Sequence, residues 1–233
     1  REPVRRGQLA AGGAGLPLAQ VLGYARQRWR VFVLHFTGFA LLAVPLTAIL
    51  TWAFVYFTRV LGFTPPEAGL RLGGLLIVLS PLGVYGGGWL ADHLQRYRDA
   101  TLRVALLAAA GLLPLSAVSA LTMDRDLTVA LFGPLIFFAS LSMAVAPAAL
   151  QVVTPNQMRG QVSAVWMLVL NLVTAGLGPS AVGVITDHVF GDPMAVGKSI
   201  ALVNCLTVPL AALALWAALA PFRAAATEQA GTG

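Results

Sequence analysis

The chain has 233 residues, of which 58% are hydrophobic and only 10% charged, whereas a soluble domain carries about 25% charged residues. That balance excludes a soluble enzyme or binding module and indicates an integral membrane protein. The net charge of +6 does not call for nucleic acid. The basic residues are strung between apolar runs rather than clustered on an aromatic-bearing soluble face, and the partner they fit is the anionic leaflet of a membrane. Cys205 is the single cysteine and lies in an apolar run, which leaves neither a disulfide framework nor a thiolate metal site. No cluster of His, Asp and Glu has metal-ligand spacing, so no cofactor is expected.

The chain opens on Arg1, Glu2 and Pro3, with no initiator Met and no secretory signal, and is read as a piece of a longer protein or a trimmed chain. Residues 1–29 are basic and glycine-rich and read as a cytoplasmic linker, whose last part, Leu18 to Arg30, has the pattern of a short interfacial amphipathic helix. Six apolar runs follow, at about 31–57, 67–91, 101–122, 127–151, 159–186 and 198–221, each near or above the roughly 20 residues that cross a bilayer. The expectation is an all-α polytopic membrane protein, with a six-helix bundle over residues 30–222 and a cytoplasmic tail over residues 223–233. Every run contains a proline: Pro45, Pro81, Pro114, Pro134 with Pro147, Pro179 and Pro209. Each removes a backbone donor and favours a kink. Counting connections alternately, 11 of the 15 Lys and Arg fall on the side of the two termini and 4 on the other. The positive-inside rule then places both termini in the cytoplasm, in an inner (plasma) membrane.

The densest polar chemistry lies between Gly83 and Arg103. Gly83, Gly87 and Gly88 leave a helix face bare for a close neighbour. Asp92 follows Gly88 by four residues and shares its face, and Arg96, Arg98 and Arg103 come directly after. The connection between the fourth and fifth runs, Gln151 to Gln161, contains Pro155 and Asn156, which end one helix and cap the next. A carboxylate at the membrane edge needs a partner, so Asp92 is expected to dock at the start of the fifth run and pair with Arg159. Gly88, Asp92, Arg96, Arg98 and Arg159 together form the expected conformational latch. The plainer alternative is an Arg159 that reaches to lipid phosphates.

The order glycine, three residues, aspartate and then basic residues resembles the loop signature of the major facilitator superfamily. Gly88, Asp92 and Arg96 fall in register, while His93, Gln95 and Tyr97 depart from the pattern. Such degeneracy is commoner in the second copy of the signature. The stretch TPNQMRGQVSA, the later LGPSAVGVITD with FGD after it, and the opening REPVRRG together resemble the Spinster-like subgroup of that superfamily, in the order found in its C-terminal half. The resemblance implies helices seven to twelve of a twelve-helix secondary transporter that works by alternating access between two six-helix halves. The partners it implies are the missing N-terminal six-helix half, membrane lipids and a small-molecule solute, amphiphilic or lipid-like, with proton coupling compatible and a small organic acid still open.

Polar side chains inside the runs are few. Thr47 and Thr51 share one face, and Asn171 and Thr174 share another. The resemblance puts the first and fifth runs around the cavity, so these four are expected to line it, against the plainer reading of bonds to their own backbone. His35 joins the set as a proton carrier or sensor, against the reading of a hydrogen-bonded interface histidine. Asn204, in the peripheral sixth run, reads as a link between helices. Asp187, His188, Asp192 and Lys198 read as a solvated outer loop. The competing function is a membrane scaffold or intramembrane enzyme. An enzyme needs a nucleophile and base at one depth, and Ser80, Ser116, Ser140 and Ser142 have no histidine or carboxylate at comparable depth near them in the sequence.

Overall fold

A computed structural model describes residues 17–231 of the chain. The opening motif and Arg1, Arg5 and Arg6 lie outside the described residues. A short helix, α1 (Leu18–Gln27), precedes six long ones: α2 (Trp29–Val55), α3 (Pro65–His93), α4 (Ala100–Leu121), α5 (Arg125–Val153), α6 (Arg159–Val184) and α7 (Val196–Gly231). All six are long and apolar enough to cross a membrane. Each expected run coincides with one of them. The backbone polar groups of a span must be satisfied within the span, so a continuous apolar run of this length has helix as its only open-ended solution.

Local chemistry sets the boundaries. Arg28, at φ −111°, breaks α1 from α2. At the far end of α2 a π turn, Tyr56–Val60, leads to Gly62 at φ +66°, whose carbonyl accepts from Arg125 Nη2 at 2.8 Å. The Glu67 carboxylate accepts from both Thr64 N at 2.9 Å and Thr64 Oγ1 at 2.8 Å, which fixes the start of α3 beside Pro65. Asp124 accepts from Leu127 N at 2.8 Å and starts α5 in the same manner. Residues 223–231, expected as a tail, continue α7 as helix. The stretch Ala224, Ala225, Ala226, Thr227, Glu228, Gln229, Ala230 is rich in helix formers, and Phe222, Ala225 and Ala226 are buried.

The packing has an internal symmetry that the sequence does not display. α2 packs on α5, α6 and α7, while α5 packs on α2, α3 and α4, and α4 packs on α7. Exchanging α2, α3, α4 for α5, α6, α7 reproduces the same set of neighbours. Because each triplet has an odd number of spans, the two run in opposite directions through the membrane, the arrangement of an inverted repeat. The helices form a front row in the order α3, α5, α2, α6, with α4 and α7 behind it. The ends of the row are the least covered. Only 17% of the most apolar window is buried in the α3 and α6 spans, against 56% in those of α2 and α5.

The glycines of α3 divide between two surfaces. At Gly83 a β-carbon would run into Phe137 O and Ser140, and at Gly87 into Leu141 O. These two let the α3 backbone touch that of α5, as the bare-face expectation requires. Ser80 Oγ and Ser140 Oγ, 2.9 Å apart, bridge the same pair of helices. Gly88 departs from the expectation, since nothing lies within 4 Å of its β-position. It faces open space, and so does Asp92 one turn further on.

Candidate functional site

The end of the bundle that carries Asp92 holds a cavity of about 910 Å³. Its walls are the last turn of α3 with the loop and the start of α4 after it, the end of α5 with the turn into α6, and a side made by α1 and the end of α7. Gly88, Asp92, Arg98 and Arg159 all line it. Four of the five residues expected in the latch thus share one cavity. The fifth, Arg96, is not in its lining and places its guanidinium 4.8 Å from the ring centre of Tyr97.

The expected ion pair between Asp92 and Arg159 is not formed. Among the described residues the ion pairs within 4.0 Å join Arg28 to Glu228, Arg71 to Asp126, and Asp99 to Arg103 and Arg223. Asp92 Oδ1 instead accepts from Gln95 Nε2 at 3.3 Å. Arg159 turns back on the end of α5, with Nε donating to Thr154 O at 3.2 Å and Nη2 to Gln151 O at 2.9 Å. The physical reason is that the last carbonyls of a helix have no partner within it, and a guanidinium is drawn to that negative end.

The buried carboxylate of this end is Asp99, which the sequence reading passed over. Its side chain is 1% exposed and lies between Arg103 Nε at 3.0 Å and Arg223 Nε at 3.1 Å. The first contact is a hydrogen bond; the second is an ion pair whose angle falls outside hydrogen-bond geometry. Arg103 also stacks on Tyr97 at 4.2 Å. The available signal was the spacing of Asp99 and Arg103, four residues apart at the start of a span. Arg223, contributed by α7, left no local trace.

The five residues expected to line a solute path differ in exposure and in partners. Thr47 Oγ1 donates to Val44 O at 2.9 Å and sits against Gly178 of α6, where a β-carbon would come within 2.5 Å of it. Thr51, one turn on, is exposed. Asn171 is exposed and donates to Met167 O at 2.7 Å, while the buried Thr174 donates to Leu170 O at 2.8 Å. These are backbone bonds within the same helix. His35 is 2% exposed, with neither ring nitrogen bonded. It is enclosed by Phe39, Trp166 and Phe36, at ring-centre distances of 4.6, 5.3 and 6.0 Å. The hydrogen-bonded interface histidine of the alternative reading is therefore absent too. Asn204, expected to link helices, is fully buried with both amide atoms unbonded.

No protein-family model matches the sequence, and neither does any curated protein. Solved structures do match. A bacterial homologue of the human lysosomal transporter Spinster, in an inward-facing and unoccupied conformation, aligns over 100% of this chain and 55% of its own, with a TM-score of 0.59 and 16% identity. A bacterial Spinster homologue in an inward-facing and occupied conformation aligns over 88% of this chain and 50% of its own, with a TM-score of 0.55 and 16% identity. The fold is that of about half of each of these two structures. The chain spans about half the length of the structures it matches. The all-α, six-span expectation and the resemblance read from the motifs agree with this fold.

Proposed function

We propose that this chain is the C-terminal half of a secondary transporter that moves a small amphiphilic or lipid-like solute across the inner membrane by alternating access, without covalent chemistry. The observation that carries the reading is the full-length likeness to a transporter fold of twice the length. The inverted packing of two three-helix units supports it, since transporters commonly rock such units about a central site. The poorly covered outer faces of α3 and α6 fit a second six-helix half, the partner that the shorter coverage implies. In this reading Asp92, Arg159 and both termini lie on the cytoplasmic side, residues 1–29 connect the halves, and proton coupling is compatible with the site.

Asp92 and Arg159 line one cavity without touching, and in this reading they are the two parts of a latch that closes in another state. Gly88, Arg96 and Arg98 frame Asp92. Thr51 and Asn171, the two exposed members of the expected solute-facing set, are the best placed to meet solute from this half. Flux into proteoliposomes containing the complete protein, with and without an imposed proton gradient, tests the reading. Transport of an amphiphilic solute is expected, and Asp92→Arg should depress it. Absence of flux for every solute tried, with the protein folded, would favour a scaffold.

A further inference from the structure

The segment before the first span is bound to the last turns of the chain. Arg28 Nη2 meets Glu228 Oε2 at 2.7 Å, and its guanidinium lies 4.5 Å from the ring centre of Tyr24. The Tyr24 hydroxyl donates to Val153 O, the last carbonyl of α5, at 2.6 Å and accepts from Gln229 Nε2 at 3.0 Å. Burial pushes the Tyr24 phenol above its usual range, so the hydroxyl keeps the proton that it donates. Three helices far apart in sequence therefore meet at one phenol. Two of the residues involved, Tyr24 and Gln229, line the cavity that holds Asp92 and Arg159.

We propose that α1 and the end of α7 form a strap that closes one wall of this cavity, and that the cavity opens when the strap releases. The strap acts on α5 through a helix end. Val153 O is one of the terminal carbonyls that the helix leaves without an internal partner, and Thr154 and the turn into α6 follow it immediately. Movement of the α5 end away from α1 breaks the Tyr24 bond. The strap is also built to release: the Arg28 and Glu228 side chains are 25% and 61% exposed, and exposed ion pairs are weak. A pull on the segment joined to α1 is thereby delivered to the loop that carries Arg159. The name of the side and the use of the opening rest on the transporter reading; the strap itself does not.

The test is thiol accessibility in the complete protein in inverted membrane vesicles, with Cys205→Ala as background and Thr154→Cys as reporter. Thr154 is 2% exposed and lines the cavity. A membrane-impermeant maleimide should label it slowly in the parent. Tyr24→Phe, which removes one hydroxyl, and Glu228→Arg, which reverses the pair, should each raise the rate about fivefold, the scale set by losing one weak interaction in a two-state opening. Arg28→Glu combined with Glu228→Arg should return the rate to the parent value. A change of less than about twofold in both single variants overturns the strap, because the population shift then falls short of one such interaction. Should Glu228→Arg fail to fold, Arg28→Cys with Glu228→Cys, cross-linked, serves in its place: closure predicts slower labelling, and an unchanged rate overturns it. Labelling is read without solute flux, so a protein that transports nothing can still show the strap.

Discussion

Asp99 and its two arginines make an unequal partnership, and the inequality can be measured. The carboxylate is 1% exposed, whereas the Arg103 and Arg223 side chains are 41% and 52% exposed. When Asp99→Ala removes the buried member, both guanidiniums can turn to water, and the loss is close to that of partly exposed pairs, about 1–2 kcal/mol. When Arg103→Ala and Arg223→Ala are made together, a carboxylate that is 1% exposed in the parent loses both of its cations, and leaving a buried charge unpaired costs up to about 3–5 kcal/mol. Adding Asp99→Ala to that double variant removes the stranded charge and should recover a good part of the loss, a coupling that contacting residues show and distant ones do not. Thermal unfolding of the complete protein in detergent, followed by tryptophan fluorescence, ranks the variants. The expected order of midpoints is parent, Asp99→Ala, triple variant, double arginine variant. A triple variant less stable than the double one would refute the reasoning, since the carboxylate would then be stabilising without its partners.

His35 packs as an aromatic ring, so His35→Phe should keep solute flux and hold or raise stability by about 1 kcal/mol, because two unbonded ring nitrogens leave the interior; a lost flux in a folded protein would return His35 to the solute path. Gly87→Ala forces the α3 backbone off Leu141 O and should destabilise by about 1–3 kcal/mol, whereas Gly88→Ala meets open space and should be neutral in the same unfolding assay. If Asp92 and Arg159 pair in another state of the transport cycle, the flux lost in Asp92→Arg should return when Arg159→Asp is added; continued loss in a folded double variant would remove the pairing.

The spans were legible because a bilayer converts length and apolarity directly into helix. The agreement fails where the chain leaves the membrane. Ala224 to Ala230 is as good a helix as many, yet a short helical stretch outside the bilayer is stable only if something packs on it, and its partners, Tyr24 and Arg28, are about 200 residues away. The site divides along the same line. Gly88, Asp92 and Arg159 could be assigned to one end of the bundle because each sits at a helix end that the prolines and the apolar runs define. The pairing of Asp92 with Arg159 was assigned on the premise that a carboxylate at the membrane edge needs a charged partner. That premise omits the unpaired carbonyls of Thr154 and Gln151, which claim Arg159, and it omits Asp99, the carboxylate with no water to fall back on. Asn171 and Thr174 share a helical face as the spacing requires, but nothing in the spacing says that their own backbone will satisfy them.

The back row is joined at both ends, and this bears on how the half can move. At the Asp92 end, Asp99 holds α4 to Arg223 of α7. At the other, Gly197 of α7 lies against Ala120 O and the Tyr56 ring, and the Tyr56 hydroxyl donates to Thr122 O at 3.0 Å. Two helices pinned at both ends cannot slide past each other by a turn without breaking a half-buried ion pair and a backbone contact together. In the proposed transporter, any rocking should then carry α4 and α7 as one body, with the α5 end free to move against it. Cysteines at Asp99 and Arg223, bridged by a short bifunctional methanethiosulfonate in a protein without Cys205, should therefore transport as fast as the same variant unbridged. A bridge that stops flux while the protein stays folded would show that the seam opens during the cycle, and the motion would have to be sought inside the half rather than between halves.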